Sequence, residues 1–426
     1  MNKRLIRFSI STAAVLVLAA GCSSSGSPAR MPGHEMAPST VPSVLMTHAP
    51  SHSPTTASVA PDATEAAALR ATLTSLLSDH VWLAGNALDT AVQHKGDLKD
   101  PQVVGAVKAL DANSVALSKA IGSVYPDAEK PFLASWRQHI GFFVNYTLGK
   151  ATQNDKQVAK AKADLDAYRT SFGELINSVV PQLPADAVAD ELKPHVQSLY
   201  AAIDASVAGK PDYQKKLSMS ADHMVMTAGI LAGGIAENKG LEGDVDGVAA
   251  TVRATLTSQL SAHVWLAGNA LDTAVRNKGD LKDPEVVGAV KALDANSVAL
   301  AKTVGSVYPE AEKPFLASWR QHIGFFVNYT LGKATQNDKQ VAKAKADLDS
   351  YRTSFGELIN SVIPEVPADA VAEELKPHLT TLFAAIDASV AGKADYQAKL
   401  SKAADHMPMT AAILASGIVA NKNIES

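Results

Sequence analysis

The sequence predicts an all-α protein made of two tandem up-and-down helical bundles of about six helices each. Three observations predict it. From about residue 64 the chain repeats itself at a fixed offset of 183 with no gap: Leu83-Ala84-Gly85-Asn86-Ala87-Leu88-Asp89 returns as Leu266 to Asp272, and Ser135 to Leu165 returns unchanged as Ser318 to Leu348. Apolar residues recur at i, i+3, i+4 and i+7, the spacing of one helical face, and no alternating strand pattern interrupts them. Aromatic residues make up only 5% of the chain and alanine is abundant, which suits closely packed helices better than sheets.

In the first repeat, Leu73, Leu76, Leu77, His80, Leu83, Ala84, Ala87 and Leu88 mark the apolar face of a first helix. Gly96 and Pro101 close it and open a second, which runs to about Val124. Pro126 and Pro131 introduce a third, with Trp136, His139, Phe143 and Tyr146 along one stripe. Asn154-Asp155 is an N-cap signal for a fourth helix ending before Pro181. Pro184-Ala185-Asp186 opens a fifth, and Pro211-Asp212 a sixth that reaches the Gly233-Gly234 region. Pro194, repeated as Pro377, falls inside the fifth helix, where a missing N–H should start or kink a helix, so that boundary is expected to shift. Short connections favour antiparallel neighbours. Two units, 62–244 and 245–426, are each long enough to fold around a core.

The chain opens differently. Lys3, Arg4 and Arg7 precede an apolar run around Ala13 to Ala20, the pattern of a secretion signal over residues 1–21. The run is shorter than the ~20 apolar residues a membrane-spanning helix needs. Leu18-Ala19-Ala20-Gly21-Cys22 resembles the lipobox of bacterial lipoproteins. The resemblance implies cleavage before Cys22, lipidation of its thiol and a membrane-anchored, extracytoplasmic protein of the cell envelope. Residues 22–61 are rich in Ser, Pro, Thr and Ala and read as a disordered tether, decorated with Met31, His34, Met36, Met46, His48 and His52.

Net charge is −4 with both signs mixed, so no basic stripe exists for nucleic acid. Cys22 is the only cysteine, which excludes disulfides, a cysteine nucleophile within the repeats and covalent c-type haem. There is no Gly-rich phosphate loop, no Gly-x-Ser-x-Gly and no Glu-x-x-His pair of the di-iron bundles. No catalytic constellation emerges, and an enzyme is not the expected reading.

What remains is histidine and methionine. Eight of the twelve His form duplicated pairs: His80/His263, His139/His322, His195/His378 and His223/His406. In each unit the four lie on four predicted helices. Seven of the nine Met lie within three residues of a His, four of them in His223-Met224-Val225-Met226 and His406-Met407-Pro408-Met409. On a helix His223 and Met226 share a face while Met224 turns about 100° away. Imidazole with thioether suits Cu(I), so His80, His139, His195, His223, Met226, His263, His322, His378, His406 and Met409 are the candidate metal ligands. The alternatives are that these His are hydrogen-bonded core residues and Met a gap filler, that His and Met hold a non-covalent haem, or that the bundles are adaptors for an envelope protein partner.

The stretch Trp136-Arg137-Gln138-His139-Ile140-Gly141-Phe142-Phe143-Val144-Asn145-Tyr146-Thr147, with the His-Met-x-Met-Thr segment, resembles secreted helical repeat proteins of Gram-positive bacteria that are sometimes labelled copper amine oxidases. The cofactor tyrosine of those oxidases follows Asn and precedes Asp or Glu in a β-rich fold. Here Thr147 follows Asn145-Tyr146 and the periodicity is helical, so the activity is not expected to carry over.

Overall fold

The computed structural model describes residues 60–425; the secretion signal, Cys22 and the Met/His-decorated part of the tether lie outside the described residues. Within them the protein is all-α, with no strand. The first unit comprises α1 (Glu65–Gln93), α2 (Pro101–Val124), α3 (Glu129–Ala151), α4 (Asp155–Val179), α5 (Ala185–Val207) and α6 (Tyr213–Lys239). The second repeats them as α7 (Val248–Arg276), α8 (Pro284–Val307), α9 (Glu312–Ala334), α10 (Asp338–Val362) and α11 (Ala368–Val390), followed by α12 (Tyr396–Ala404) and α13 (Met407–Lys422). No helix among the described residues is long and apolar enough to cross a membrane.

Local chemistry places most of the boundaries. Asp100 caps α2 by accepting from the Gln102 amide at 2.8 Å, with Pro101 supplying the fixed φ of a first helical residue. Asn154 caps α4 through Gln157 at 3.1 Å. Gly240, at φ 64°, closes α6 in the left-handed conformation that a Cβ would penalise. Helix α6 therefore runs on past Gly233-Gly234; Gly234 is kept small because a Cβ there would stand 2.4 Å from the Leu183 side chain.

Proline behaves unequally. Both α5 and α11 run through Pro194 and Pro377 without a break, so the expected shift of that boundary does not occur. The sixth helix of the second unit does break, between α12 and α13, where Pro408 replaces Val225. Pro408 has no N–H to give Ala404, and its ring crowds that carbonyl.

The two units pack against each other through α1 and α7 in a two-fold arrangement: Asn86 meets its own repeat and the other contacts come in exchanged pairs. Asn86 and Asn269 exchange Nδ2–H to Oδ1 hydrogen bonds, both at 3.0 Å, and each also donates to a glutamine, Gln397 and Gln214 respectively. Arg70 donates to the Val245 carbonyl at 2.6 Å, and its repeat Arg253 to Asp62 at 2.7 Å. One buried core runs through both units.

The symmetry fails at a buried acid. Asp79 accepts from Trp265 Nε1 at 2.7 Å and Ser261 at 2.8 Å, with Ser75 at 3.3 Å. Its repeat is Ala262, so Trp82, the counterpart of Trp265, has a buried indole N–H without a partner. Burial pushes the Asp79 carboxyl up, the three donors pulling the other way. Replacing Asp79 with Ala strands the Trp265 donor as well, and a loss of about 2 kcal/mol is expected in chemical unfolding. An unchanged midpoint would show that the carboxylate's own burial cost cancels its hydrogen bonds.

Candidate metal centre

Helices α1, α3, α5 and α6 carry His80, His139, His195 and His223, and the second unit repeats the set as His263, His322, His378 and His406. The structure divides each set into a buried group and a surface one.

His80, His139 and His195 are buried, as are their repeats. Trp136 Nε1–H donates to His80 Nδ1 at 3.3 Å, and His80 Nε2 lies 3.2 Å from His139 Nε2. An indole nitrogen can only donate, so Nδ1 of His80 must be the bare nitrogen and its proton sits on Nε2. That proton is given to His139 Nε2, which leaves the His139 proton on Nδ1. The second unit has the same relay, with Trp319 to His263 at 3.3 Å and His322 to His263 at 3.1 Å. His139 also stacks on Tyr168, ring centroids 5.0 Å apart, and meets Trp136 edge-on at 4.6 Å. Burial holds these imidazoles neutral: His80 and His263 are pushed down to about 3 and His195 and His378 to about 4. For His139 and His322 burial is again the main cause, with the neighbouring imidazoles pushing the same way.

This arrangement opposes metal binding at His80. A ligating imidazole donates its second N–H to an acceptor, whereas the second nitrogen of His80 accepts from a tryptophan. In the second unit His263, His322, His378 and Met407 line one apolar cavity of about 50 Å³. An engineered cavity that admits benzene measures about 150 Å³, so this one is too small for a haem without repacking. Among the described residues no group of three or more His, Cys, Asp or Glu is placed to hold an ion.

The surface group is different. His223 Nε2 lies 3.2 Å from both the carboxylate Oε1 and the backbone oxygen of Glu191 on α5. In the second unit His406 Nε2 lies 2.8 Å from the same two atoms of Glu374. Thr227 and Thr410 donate to the same carboxylates, at 2.9 and 3.2 Å, and hold them in place. Nε2 donates to the glutamate, and Nδ1 has no partner among the described residues. This is the carboxylate–histidine arrangement that prepares an imidazole for a metal. Met226 lies about one helical turn from His223 on α6, Met409 follows His406 by three residues across the break before α13, and both methionines are more than half exposed. Met224 and Met407, turned away as the helical period requires, are buried in the core.

Of the ten candidate ligands, His223 and His406 are held by glutamates, with the exposed Met226 and Met409 three residues further along the chain. His80, His139 and their repeats are tied into the tryptophan relay, and His195 and His378 are buried beside apolar cavities. Sequence reading missed Glu191, Glu374 and the Trp136 and Trp319 donors. No spacing rule links Glu191 to His223 across 32 residues; only the packing of α5 on α6 does. No family model, no curated protein and no solved structure matches this chain.

Proposed function

We propose that this chain is a membrane-anchored, extracytoplasmic lipoprotein that binds a soft metal ion, Cu(I), at one surface site per unit. The observation that carries the metal reading is the Glu191–His223 pair beside Met226, repeated as Glu374–His406 beside Met409. A glutamate-oriented imidazole and an exposed methionine match the preference of Cu(I) for nitrogen and soft sulfur donors. Thiols are absent from the described residues, which leaves the His–Met pair as the softest donor set there. The anchor rests on the lipobox at Cys22, and the Met/His tether would add weaker capture near the membrane.

The two sites are unequal. One turn before His223, Met219 presents a further exposed thioether on the same face, whereas the second unit has Lys402 at that position. Titrating the mature protein with Cu(I) should fill two sites in sequence, the first unit ahead of the second. Met219→Leu should bring the first affinity down toward the second by roughly tenfold, as the loss of one ligand of modest strength implies. Equal affinities before and after this change would remove Met219 from the site. For the anchor, labelled palmitate should enter the wild-type protein and not Cys22→Ser, which should leave the membrane fraction.

A further inference from the structure

The metal sites leave a polar space between the units unused. Between the units, where α1 and α7 meet the loop joining α11 to α12, lies a polar cavity of about 160 Å³. The two-fold relation gives it a mate, and the mate measures only about 20 Å³. Repeats that are unchanged from Ser135 to Leu165 have diverged at the walls of these two cavities. The open one has Gln93, Gln102 and Ala394 where the closed one has Arg276, Glu285 and Pro211. Neutral amides in place of a charged pair, and Ala in place of Pro, have opened one copy.

The lining is charged in both senses. Asp272 is satisfied by Ser389 at 2.6 Å and Arg276 Nε at 2.9 Å. Asp89 accepts from Ser206 at 2.6 Å, but its other oxygen is 3.9 Å from the guanidinium, beyond hydrogen-bond reach. Lys393 lines the cavity and pairs with no carboxylate among the described residues. The Tyr396 hydroxyl is buried at its wall without a partner. A buried hydroxyl left unpaired costs roughly 1–3 kcal/mol, which an arriving ligand would recover.

We propose that this cavity binds a small zwitterion, an α-amino acid of up to about eight heavy atoms, its ammonium toward Asp89 and its carboxylate toward Lys393 and Tyr396. The size follows from comparison with a cavity of about 150 Å³ that accepts the six carbons of benzene. A zwitterion satisfies both signs without burying net charge. A cation, an anion or a polyol of the same size leaves one of them unmet.

Isothermal titration of the mature protein with L-serine and L-alanine tests this, with acetate, ethylammonium and glycerol as comparisons. Saturable heat with the amino acids and none with the other three is expected. Gln93→Arg with Gln102→Glu rebuilds the closed walls, which the fold already tolerates in the mate, and should weaken binding at least tenfold. Tyr396→Phe removes a hydroxyl with no partner in the fold and should weaken binding without lowering the unfolding midpoint. No saturable heat with either amino acid, an equal response to glycerol, or full binding by the rebuilt cavity would overturn the proposal. Copper binding at His223 and His406 is untouched by any of these outcomes.

Discussion

Lowering the pH from 7 to 5 is expected to cost this protein about 2 kcal/mol for each of His80, His195, His263 and His378. Six are buried: His80, His139, His195, His263, His322 and His378. In the unfolded chain each imidazole takes up a proton near its ordinary value of about 6.5. In the fold, His195 and His378 refuse it until about 4, and His80 and His263 until about 3. Protons therefore bind the unfolded state first. The histidine contribution is flat above neutrality, falls as the pH drops through the unfolded value, and goes on falling to about 4 for His195 and His378 and to about 3 for His80 and His263. The carboxyls of Asp79, Asp222 and Asp405, pushed up by burial, take up protons in the fold first and offset part of this loss. Urea midpoints measured from pH 8 to pH 4.5 check this. A profile that does not fall below pH 6 would mean that the core imidazoles are reached by solvent or already charged.

Separating the two units should be nearly as damaging. Gly105 on α2 passes so close to the loop before α12 that a Cβ would stand 1.8 Å from the Ala394 carbonyl oxygen. Its repeat, Gly288 on α8, would meet the Pro211 carbonyl at 1.7 Å. Both obstacles are backbone atoms, which cannot rotate away as a side chain end can. Gly105→Val with Gly288→Val is expected to cost more than about 5 kcal/mol across the two sites or to force the units apart, the upper range for overpacking. Small-angle scattering should then show a larger radius of gyration at unchanged helical content. An unaltered radius with an unaltered unfolding midpoint would show that the contact between units yields easily.

Much of the fold was legible because helices write their own boundaries. The Asp100-Pro101 and Asn154-Asp155 caps, the proline punctuation and the periodic apolar face of α1 are all local signals, and the helices begin where they point. The interior Pro194 misled, since packing on both sides carries α5 through a residue that costs it a hydrogen bond. Pro408 broke its helix, and only comparison with Val225 in the first repeat sets the two prolines apart.

The site was less legible. Stripe position marks a histidine as buried but does not say where its proton sits. For His80 that was decided by Trp136, 56 residues away, and for His223 by Glu191, 32 residues away. Hence one set of sequence candidates separates into core imidazoles, of which His80 and His263 have both nitrogens engaged, and the partly buried His223 and His406, which are held by glutamates. The face shared by His223 and Met226 was readable from helical geometry alone, because both lie within one turn.

The claim at the centre is that copper is held by the glutamate-oriented histidines and not by the buried ones. Competition of the mature protein against a Cu(I)-selective chromogenic chelator tests it most directly, with wild type compared to the His223→Ala, His406→Ala double variant. Wild type should retain about two ions per chain with affinity tighter than micromolar, and the double variant should surrender both while keeping its helical content. A wild-type protein that yields all its copper to the chelator, or a double variant that retains as much as wild type, would contradict it.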